Sequence, residues 1–328
     1  MIIPILLFIA GLAVVTKAAD FLVDGASSIA ARAKIAPIVI GLTIVAFGTS
    51  APEMVVSVTG ALSGSTDLAF GNVVGSNIFN ILVILGIASI IYPLKIANNT
   101  VWKEIPMSLL GAAAVFVLGL QNILDFEQIP QEGVISTAVL GTLSFSNGLI
   151  LLMFFIVFIY YTFGIAKIQN ADQDEIAIRP MHISILMGIG GLIGLVIGSR
   201  LVVDNAIIIA QAIGLSEKVI ALTLVSAGTS LPELATSVAA ARKKQADIAV
   251  GNIVGSNIFN IFLILGTTAL FQPIRVTGYD IIDLGVMVLA TFFLFLATFL
   301  FHKKHVDRWE GMVMLTAYGA YLIFLFIR

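Results

Sequence analysis

Long apolar runs separated by short polar breaks organise this chain, and the runs show neither the strict alternation of a half-buried strand nor the one-sided stripe of a soluble helix. They fall at 2–22, 35–60, 69–91, 104–121, 147–166, 181–203, 218–241, 248–270, 279–301 and 309–327. A run of about 20 apolar residues crosses the roughly 30 Å of bilayer hydrocarbon as a helix. Backbone polar groups in lipid must be satisfied within the segment, so runs of this kind predict helices, whereas a membrane barrel shows shorter alternating segments. The expected fold class is therefore an all-α membrane protein with ten transmembrane helices. The only strongly polar linker, "KIQNADQDEIAIRP" at 167–180, divides the chain into a five-helix unit at 1–166 and another at 181–328.

Composition strengthens this picture: 59% of the residues are hydrophobic, 11% are charged and the mean hydropathy is +1.09, so nearly the whole chain belongs in the bilayer. The first run lacks a basic start and a small-x-small cleavage site, and reads as a retained helix rather than a signal peptide. With no cysteine, a disulfide framework and a thiolate metal site are both excluded. The net charge of −2 implies no nucleic-acid partner.

Basic residues set the expected orientation. Arg32 and Lys34, Lys95 and Lys103, Lys167 and Arg179, Arg242 to Lys244, and Lys303, Lys304 and Arg308 fall on one side; only Arg200, Lys218, Arg275 and Arg328 fall on the other. By the positive-inside rule both termini are external and the 167–180 linker is cytoplasmic, with the cell membrane as the expected location. Tyr92, Trp102 and Trp309 lie near helix ends, as interfacial anchors do.

Two polar motifs interrupt the apolar runs, and each occurs twice. "LTIVAFGTSAPEMVVSV" at 42–58 returns as "LTLVSAGTSLPELATSV" at 222–238, and "DLAFGNVVGSNIFNILVILG" at 67–86 returns as "DIAVGNIVGSNIFNIFLILG" at 247–266. Both copies are displaced by 180 residues, and their identity exceeds what shared apolar composition gives. Five expected helices separate each motif from its copy, and an odd number of crossings reverses direction. The halves are thus expected to form two inverted-topology repeats of five helices, with discontinuous helices at a central site near the bilayer midplane.

Glu53 and Glu233 lie in runs otherwise free of charge. A carboxylate at that depth needs compensation, and no Lys, Arg or His lies inside the repeated segments, so the partner is a proton or a cation from solution. Pro52 and Pro232 each remove a backbone donor, and Gly48 and Gly228 ease local unwinding, which frees carbonyls beside the hydroxyls of Thr49, Ser50, Thr229 and Ser230. Asn72, Ser76 and Asn80 recur at spacings of four, as do Asn252, Ser256 and Asn260, so each trio shares one helix face. Such stripes also serve as interhelical glue, a reading that stays open for Asn72 and Asn252; Asn77 and Asn257 point off the face. An all-oxygen set with two carboxylates suits hard cations, and its flexible ligands fit a dehydrated Ca2+ better than Mg2+; two Na+ or two protons also balance the charge. A site that binds either load and exposes it alternately describes an antiporter.

The paired "GTSAPE" and "GTSLPE", each followed by "GN..GSNIFN", resemble the two α-repeats of the calcium:cation antiporter superfamily, whose best-known members are sodium/calcium exchangers. The resemblance covers essentially the whole chain. It implies exchange of Na+ for Ca2+ at a shared site, with Thr49, Ser50, Glu53, Ser76 and Asn80 and their counterparts Thr229, Ser230, Glu233, Ser256 and Asn260 as ligands. The ions are substrates; no cofactor and no obligate protein partner is implied. Many sodium/calcium exchangers, and the potassium-dependent branch, carry Asp where this chain has Asn260, which argues against K+ co-transport and leaves the Na+ stoichiometry open. The "GNxxE" pattern of the proton-coupled branch is missing, which favours Na+; a proton-coupled Ca2+ antiporter is the alternative.

Other polar residues have simpler expected roles. Asp67, Asp247, Asp280 and Asp283 read as helix caps, Asp24 and Asp204 as end caps or local pairs, and Asp172, Asp174 and Glu175 as a solvated linker. The 122–146 loop, with Asp125, Glu127 and Glu132 and no basic residue, is expected outside, and a channel, which requires a continuous pore and a selectivity filter, is disfavoured by a single polar belt with no acidic vestibule. Enzymatic chemistry is not expected: the histidines, His182, His302 and His305, all lie near helix ends. The first and sixth runs, with glycines at 188–198 in the second copy, are the expected sliding elements.

Overall fold

The computed structural model describes residues 2–125, 138–166, 178–212, 226–300 and 303–327. Its helices are α1 (Ile2–Ala33), α2 (Pro37–Thr49), α3 (Ala51–Leu62), α4 (Thr66–Ile91), α5 (Thr100–Gly119), α6 (Phe145–Ala166), α7 (Met181–Ala212), α8 (Leu231–Arg242), α9 (Ala246–Phe271), α10 (Gly278–Ala297) and α11 (Arg308–Ile327). Eight of these are individually long and apolar enough to cross a membrane, and α2 with α3 makes a further candidate span bent by 46°. The chain is an integral, multi-pass, helical membrane protein. The seventh expected run begins among residues outside the described set. Its described part is a single turn, Ser226–Thr229, followed by α8.

Two expected spans are longer than hydropathy suggested. α1 continues to Ala33 instead of ending near 22, and α7 continues to Ala212 instead of 203. The added stretch of α1, "VDGASSIAARA", is too polar to read as hydrocarbon-embedded but rich in alanine, the best helix former. Its small residues also pack against α7, where a β-carbon on Gly25 would lie 2.7 Å from the Ser184 carbonyl and one on Gly191 2.8 Å from that of Ala18.

α4 and α9, which carry the GSNIFN motifs, form the inside of the molecule: 67% and 94% of their apolar windows are buried, against 22% for α1 and 17% for α11. α9 lies against α2 so closely that a β-carbon on Gly255 would sit 2.8 Å from the Leu42 carbonyl. Each inner helix widens to π-helical geometry beside its last motif asparagine, over Asn80–Leu85 and Phe259–Leu265. Such widening frees backbone groups from the regular ladder and is frequent at functional sites.

Short ladders tie the loops together. Leu94–Lys95 (β1) pairs antiparallel with His305–Val306 (β4), and Val139–Leu143 (β2) pairs with Ile274–Thr277 (β3). The turn after α3 uses Gly64 at φ +82°, and the matching turn after α8 places Lys244 at φ +59°, so a left-handed residue recurs at the same offset of 180.

The capping expectations divide. Asp280 accepts hydrogen bonds from the Thr277 backbone N–H at 2.8 Å and from its hydroxyl at 2.7 Å, completing a capping box on α10. Asp283 instead accepts from the Tyr321 hydroxyl at 2.9 Å. Asp67 and Asp247 stand one residue inside α4 and α9, in the first turn, and those helices have no side-chain cap bond. Their placement still complements the helix dipole. Asp24 forms an ion pair with Lys243 at 2.6 Å, which Asp20 joins at 3.4 Å. Lys167, Asp172, Asp174, Glu175, Glu127, Glu132, Lys218, His302 and Arg328 lie outside the described residues.

Candidate functional site

Each GTS-x-PE motif breaks its helix at the serine. Ser50 (φ −80°, ψ 3°) separates α2 from α3, and Ser230 (φ −86°, ψ 7°) separates the Ser226–Thr229 turn from α8. Pro52 and Pro232 occupy the first turn of the following helix, where a missing N–H is tolerated, while the carbonyls of Gly48 and Gly228 four residues earlier lose their helical donors. The break thereby places Glu53 and Glu233 in the first turns of α3 and α8, where the dipole favours a negative charge. Both are 1% exposed.

Each carboxylate is held by the other copy's broken helix. The Ser50 hydroxyl donates to Glu233 Oε1 at 3.1 Å, and the Ser230 hydroxyl donates to Glu53 Oε1 at 3.2 Å. Ser256 adds a 3.4 Å bond to Glu233 Oε1. Thr49 donates to Asn252 Oδ1 at 3.1 Å, and Thr229 to Asn72 Oδ1 at 3.2 Å. Through these bonds seven of the ten predicted site residues, Thr49, Ser50, Glu53, Thr229, Ser230, Glu233 and Ser256, form one largely buried constellation, and Ser76 is buried with no hydrogen-bond partner among the described residues. Asn80 and Asn260 are held by amide bonds to Asn257 and Asn77, each at 3.0 Å.

Five oxygens of the ten predicted residues have no hydrogen-bond partner among the described residues: Glu53 Oε2, Glu233 Oε2, Ser76 Oγ, Asn80 Oδ1 and Asn260 Oδ1. Leaving a buried acceptor unsatisfied costs about 1–3 kcal/mol, and more for a charged group. Carboxylate, hydroxyl and amide oxygens of this kind have the chemistry of hard-cation ligands. Among the described residues, the side-chain donors that reach the carboxylate oxygens are hydroxyls, never Lys, Arg or His. Among the described residues no group of three or more His, Asp or Glu is placed to hold a metal ion, and the constellation itself contains two carboxylates and otherwise neutral oxygen.

Residues beyond the predicted set support it. Asn72 Nδ2 donates to the Glu53 carbonyl (3.3 Å) and to Ser57 Oγ (3.0 Å), and Asn252 Nδ2 donates to the Glu233 carbonyl (3.4 Å) and to Ser237 Oγ (3.0 Å). These asparagines are glue of a specific kind, clamping the turn that carries each glutamate. Ser57 and Ser237 were not singled out in the sequence, although they too are 180 residues apart. A further buried carboxyl, Glu104 at 1% exposed, accepts a short bond from the Tyr161 hydroxyl and stands outside the duplicated motifs.

Two crevices reach the constellation. One of about 260 Å³ runs between α7 and the broken helices, lined by Pro52, Val203, Arg200, Asp204 and Thr229. The other, about 170 Å³, is apolar and is lined by Phe47, Ser50, Met54, Phe259 and Leu263.

Buried acidic oxygens between broken helices of a multi-pass bundle define a membrane protein built to bind a cation away from water. Residues 3–164 and 183–327 match the sodium/calcium exchanger protein family, and the chain belongs to it. It is 32% identical to the sodium/calcium exchanger MaX1 of Methanosarcina acetivorans, over 98% of each chain, and 38% identical to the inner membrane protein YrbG of Escherichia coli, over 83% of this chain and 81% of that protein. Its fold is similar to that of the sodium-calcium exchanger NCX_Mj soaked with Na+ and Ca2+, with a TM-score of 0.81 and 31% identity over 98% of each chain. The match to NCX_Mj soaked without either ion is equal, with a TM-score of 0.81 over 99% of each chain. Membership and fold together make the protein a cation/Ca2+ antiporter.

Proposed function

We propose that this protein exchanges Na+ for Ca2+ across the cell membrane by alternating access. The ligand set is Glu53, Thr49, Ser50, Ser76 and Asn80 with Glu233, Thr229, Ser230, Ser256 and Asn260. The observation that carries the reading is the cross-copy bonding of the two buried carboxylates, which leaves one free oxygen on each. One Ca2+ or two Na+ balances two carboxylates, so either load relieves the same buried charge and competes for the same oxygens. An ion-free site retains the uncompensated pair, which disfavours closure around it. This couples the switch to occupancy.

The exchange of hydrogen-bond partners under a shift of 180 residues supports ten spans in two inverted repeats, with external termini from the basic-residue pattern. α1 and α7, packed through glycines at Gly11, Gly191 and Gly198, form the unit that slides against the remainder. A second reading, H+/Ca2+ antiport, draws on the same free Oε2 atoms, since a proton on each also satisfies them.

Radioactive Ca2+ uptake into proteoliposomes loaded with Na+ and diluted into Na+-free, K+-free buffer at clamped pH separates the two. Uptake that requires internal Na+ and vanishes at equal Na+ establishes Na+ coupling. Uptake indifferent to Na+ but driven by an imposed pH gradient establishes proton coupling.

A further inference from the structure

Four asparagines, all at most 2% exposed, meet where α4 crosses α9: Asn77, Asn80, Asn257 and Asn260. Their bonds form two reciprocal sets. Asn257 Nδ2 donates to the Asn77 backbone carbonyl at 3.4 Å, and Asn77 Nδ2 donates to the Asn257 backbone carbonyl at 3.5 Å. Asn80 Nδ2 donates to Asn257 Oδ1, and Asn260 Nδ2 to Asn77 Oδ1, both at 3.0 Å.

A side-chain amide can present either its oxygen or its nitrogen to a neighbour, and the neighbours decide which. Here the decision begins at the backbone. A carbonyl only accepts, so Asn257 turns its Nδ2 to the Asn77 carbonyl and leaves Oδ1 facing Asn80. Asn80 must then offer Nδ2, and its own Oδ1 is left over. The mirror chain runs from the Asn257 carbonyl through Asn77 to Asn260. The two atoms left over, Asn80 Oδ1 and Asn260 Oδ1, are among the unpartnered oxygens of the site.

We propose that Asn77 and Asn257 are positioning residues that lock Asn80 and Asn260 with oxygen, never NH2, toward the transported cation. The inference rests on the antiporter reading above and adds the means by which two neutral amides are kept as cation ligands. It also accounts for asparagine at 260. A carboxylate at 80 or 260 has no hydrogen to offer, so one of its oxygens would face the amide oxygen of Asn257 or Asn77. The quartet thereby limits the site to two negative charges.

The test is a cycle in purified protein, read as Ca2+ affinity by equilibrium binding and as KM against Vmax for Ca2+ uptake, with Glu53→Gln as reference. Asn257→Ala frees the Asn80 amide to turn its NH2 toward the ion and weakens Ca2+ about tenfold, the scale of one lost hydrogen-bond preference. Asn80→Asp alone gains less Ca2+ affinity than its added charge would supply, because one of its oxygens meets the Asn257 amide oxygen. In the Asn257→Ala background the same Asn80→Asp strengthens binding by about tenfold more, since that clash is gone and a carboxylate has no NH2 to turn inward. This dependence on the background is not produced by a residue that only packs. Should Asn257→Ala fail to fold, Asn257→Ser replaces it, because a hydroxyl either accepts from the Asn80 amide or donates to a carboxylate introduced in its place, and predicts the same tolerance.

Unchanged Ca2+ affinity in Asn257→Ala, or an Asn80→Asp effect of equal sign and size in both backgrounds, overturns the proposal while leaving the antiporter reading intact. Retained Ca2+ binding and transport in Glu53→Gln would instead overturn the antiporter site itself.

Discussion

Replacing Glu53 with Gln removes one of two buried charges while keeping the shape of the side chain and an oxygen to accept from Ser230, whose hydroxyl now bonds Oε1 at 3.2 Å. At a charge separation of about 4 Å and an effective dielectric near 20, one carboxylate attracts a divalent cation by roughly 8 kcal/mol and a monovalent one by roughly 4. The Gln oxygen remains a neutral ligand; if about half of the attraction is lost, Ca2+ binding weakens by about 4 kcal/mol, near a thousandfold, and Na+ by about 2, near thirtyfold. Ion-free stability moves the other way, because the folded protein no longer buries two like charges without a counter-ion. The assay is thermal unfolding in detergent with and without Ca2+, alongside equilibrium binding. At a Ca2+ concentration about 100 times the wild-type Kd, binding stabilises the wild type by about 2.7 kcal/mol and the variant by less than about 0.1. Equal Ca2+ stabilisation of both proteins, or a greater loss for Na+ than for Ca2+, would refute the reasoning.

Three further outcomes follow from the geometry. Glu104→Gln keeps an acceptor for the Tyr161 hydroxyl and leaves Ca2+ transport unchanged, whereas Glu104→Leu strands that hydroxyl and lowers stability by about 1–3 kcal/mol, measured by thermal unfolding. Gly255→Ala forces a β-carbon to 2.8 Å from the Leu42 carbonyl and lowers the unfolding temperature by several degrees; Gly319→Ala meets nothing within 4 Å and is neutral or slightly stabilising. Lys243→Ala removes partly exposed ion pairs to Asp20 and Asp24, so stability changes by less than about 1 kcal/mol. The same change loosens α1 from the end of α8, and a Ser27→Cys reporter at that seam, in a chain with no other cysteine, is then labelled faster; equal labelling rates would show that the ion pairs do not hold the seam closed.

The sequence made the ingredients of the site legible because the duplication acts as an internal filter. Serines and asparagines are common as interhelical glue, but the same residues returning 180 positions later around a glutamate single out Thr49 to Glu53 and Ser76 to Asn80. Periodicity could not reveal that each glutamate is held by hydroxyls of the opposite copy, since bonds spanning 177 and 183 residues depend on how the halves dock. Nor could it reveal the role of Asn77 and Asn257, which point away from the polar stripe of their own helices and matter only through the helix that crosses them. Glu104 was hidden differently. Beside Trp102 and Lys103 it reads as the polar start of a span, and its burial arises from Tyr161 on α6, 57 residues away. Hydropathy likewise ended α1 too early, because a helix whose small residues pack on a neighbour does not need an apolar surface all round.

The paired bonds around the glutamates also constrain how the molecule can move. Because Ser50 serves Glu233 and Ser230 serves Glu53, displacing one broken helix disturbs both carboxylates at once, so the surroundings of the two are structurally coupled. The α1/α7 pair, proposed above as the sliding unit, is joined to the broken helices unequally at its two ends. On α1, Asp20 and Asp24 engage Lys243 after α8; at the corresponding positions on the other side, α7 carries Arg200 and Asp204 and the chain after α3 carries Ser63. The charged contact falls where α1 meets the end of α8, and the larger crevice opens beside Arg200 and Asp204. Under the inverted-repeat reading proposed above, a duplicated site with near-equal halves has no intrinsic preference for either face, so a preference would have to come from residues that the duplication does not share, Lys243 against Ser63 and Asp20 against Arg200 among them.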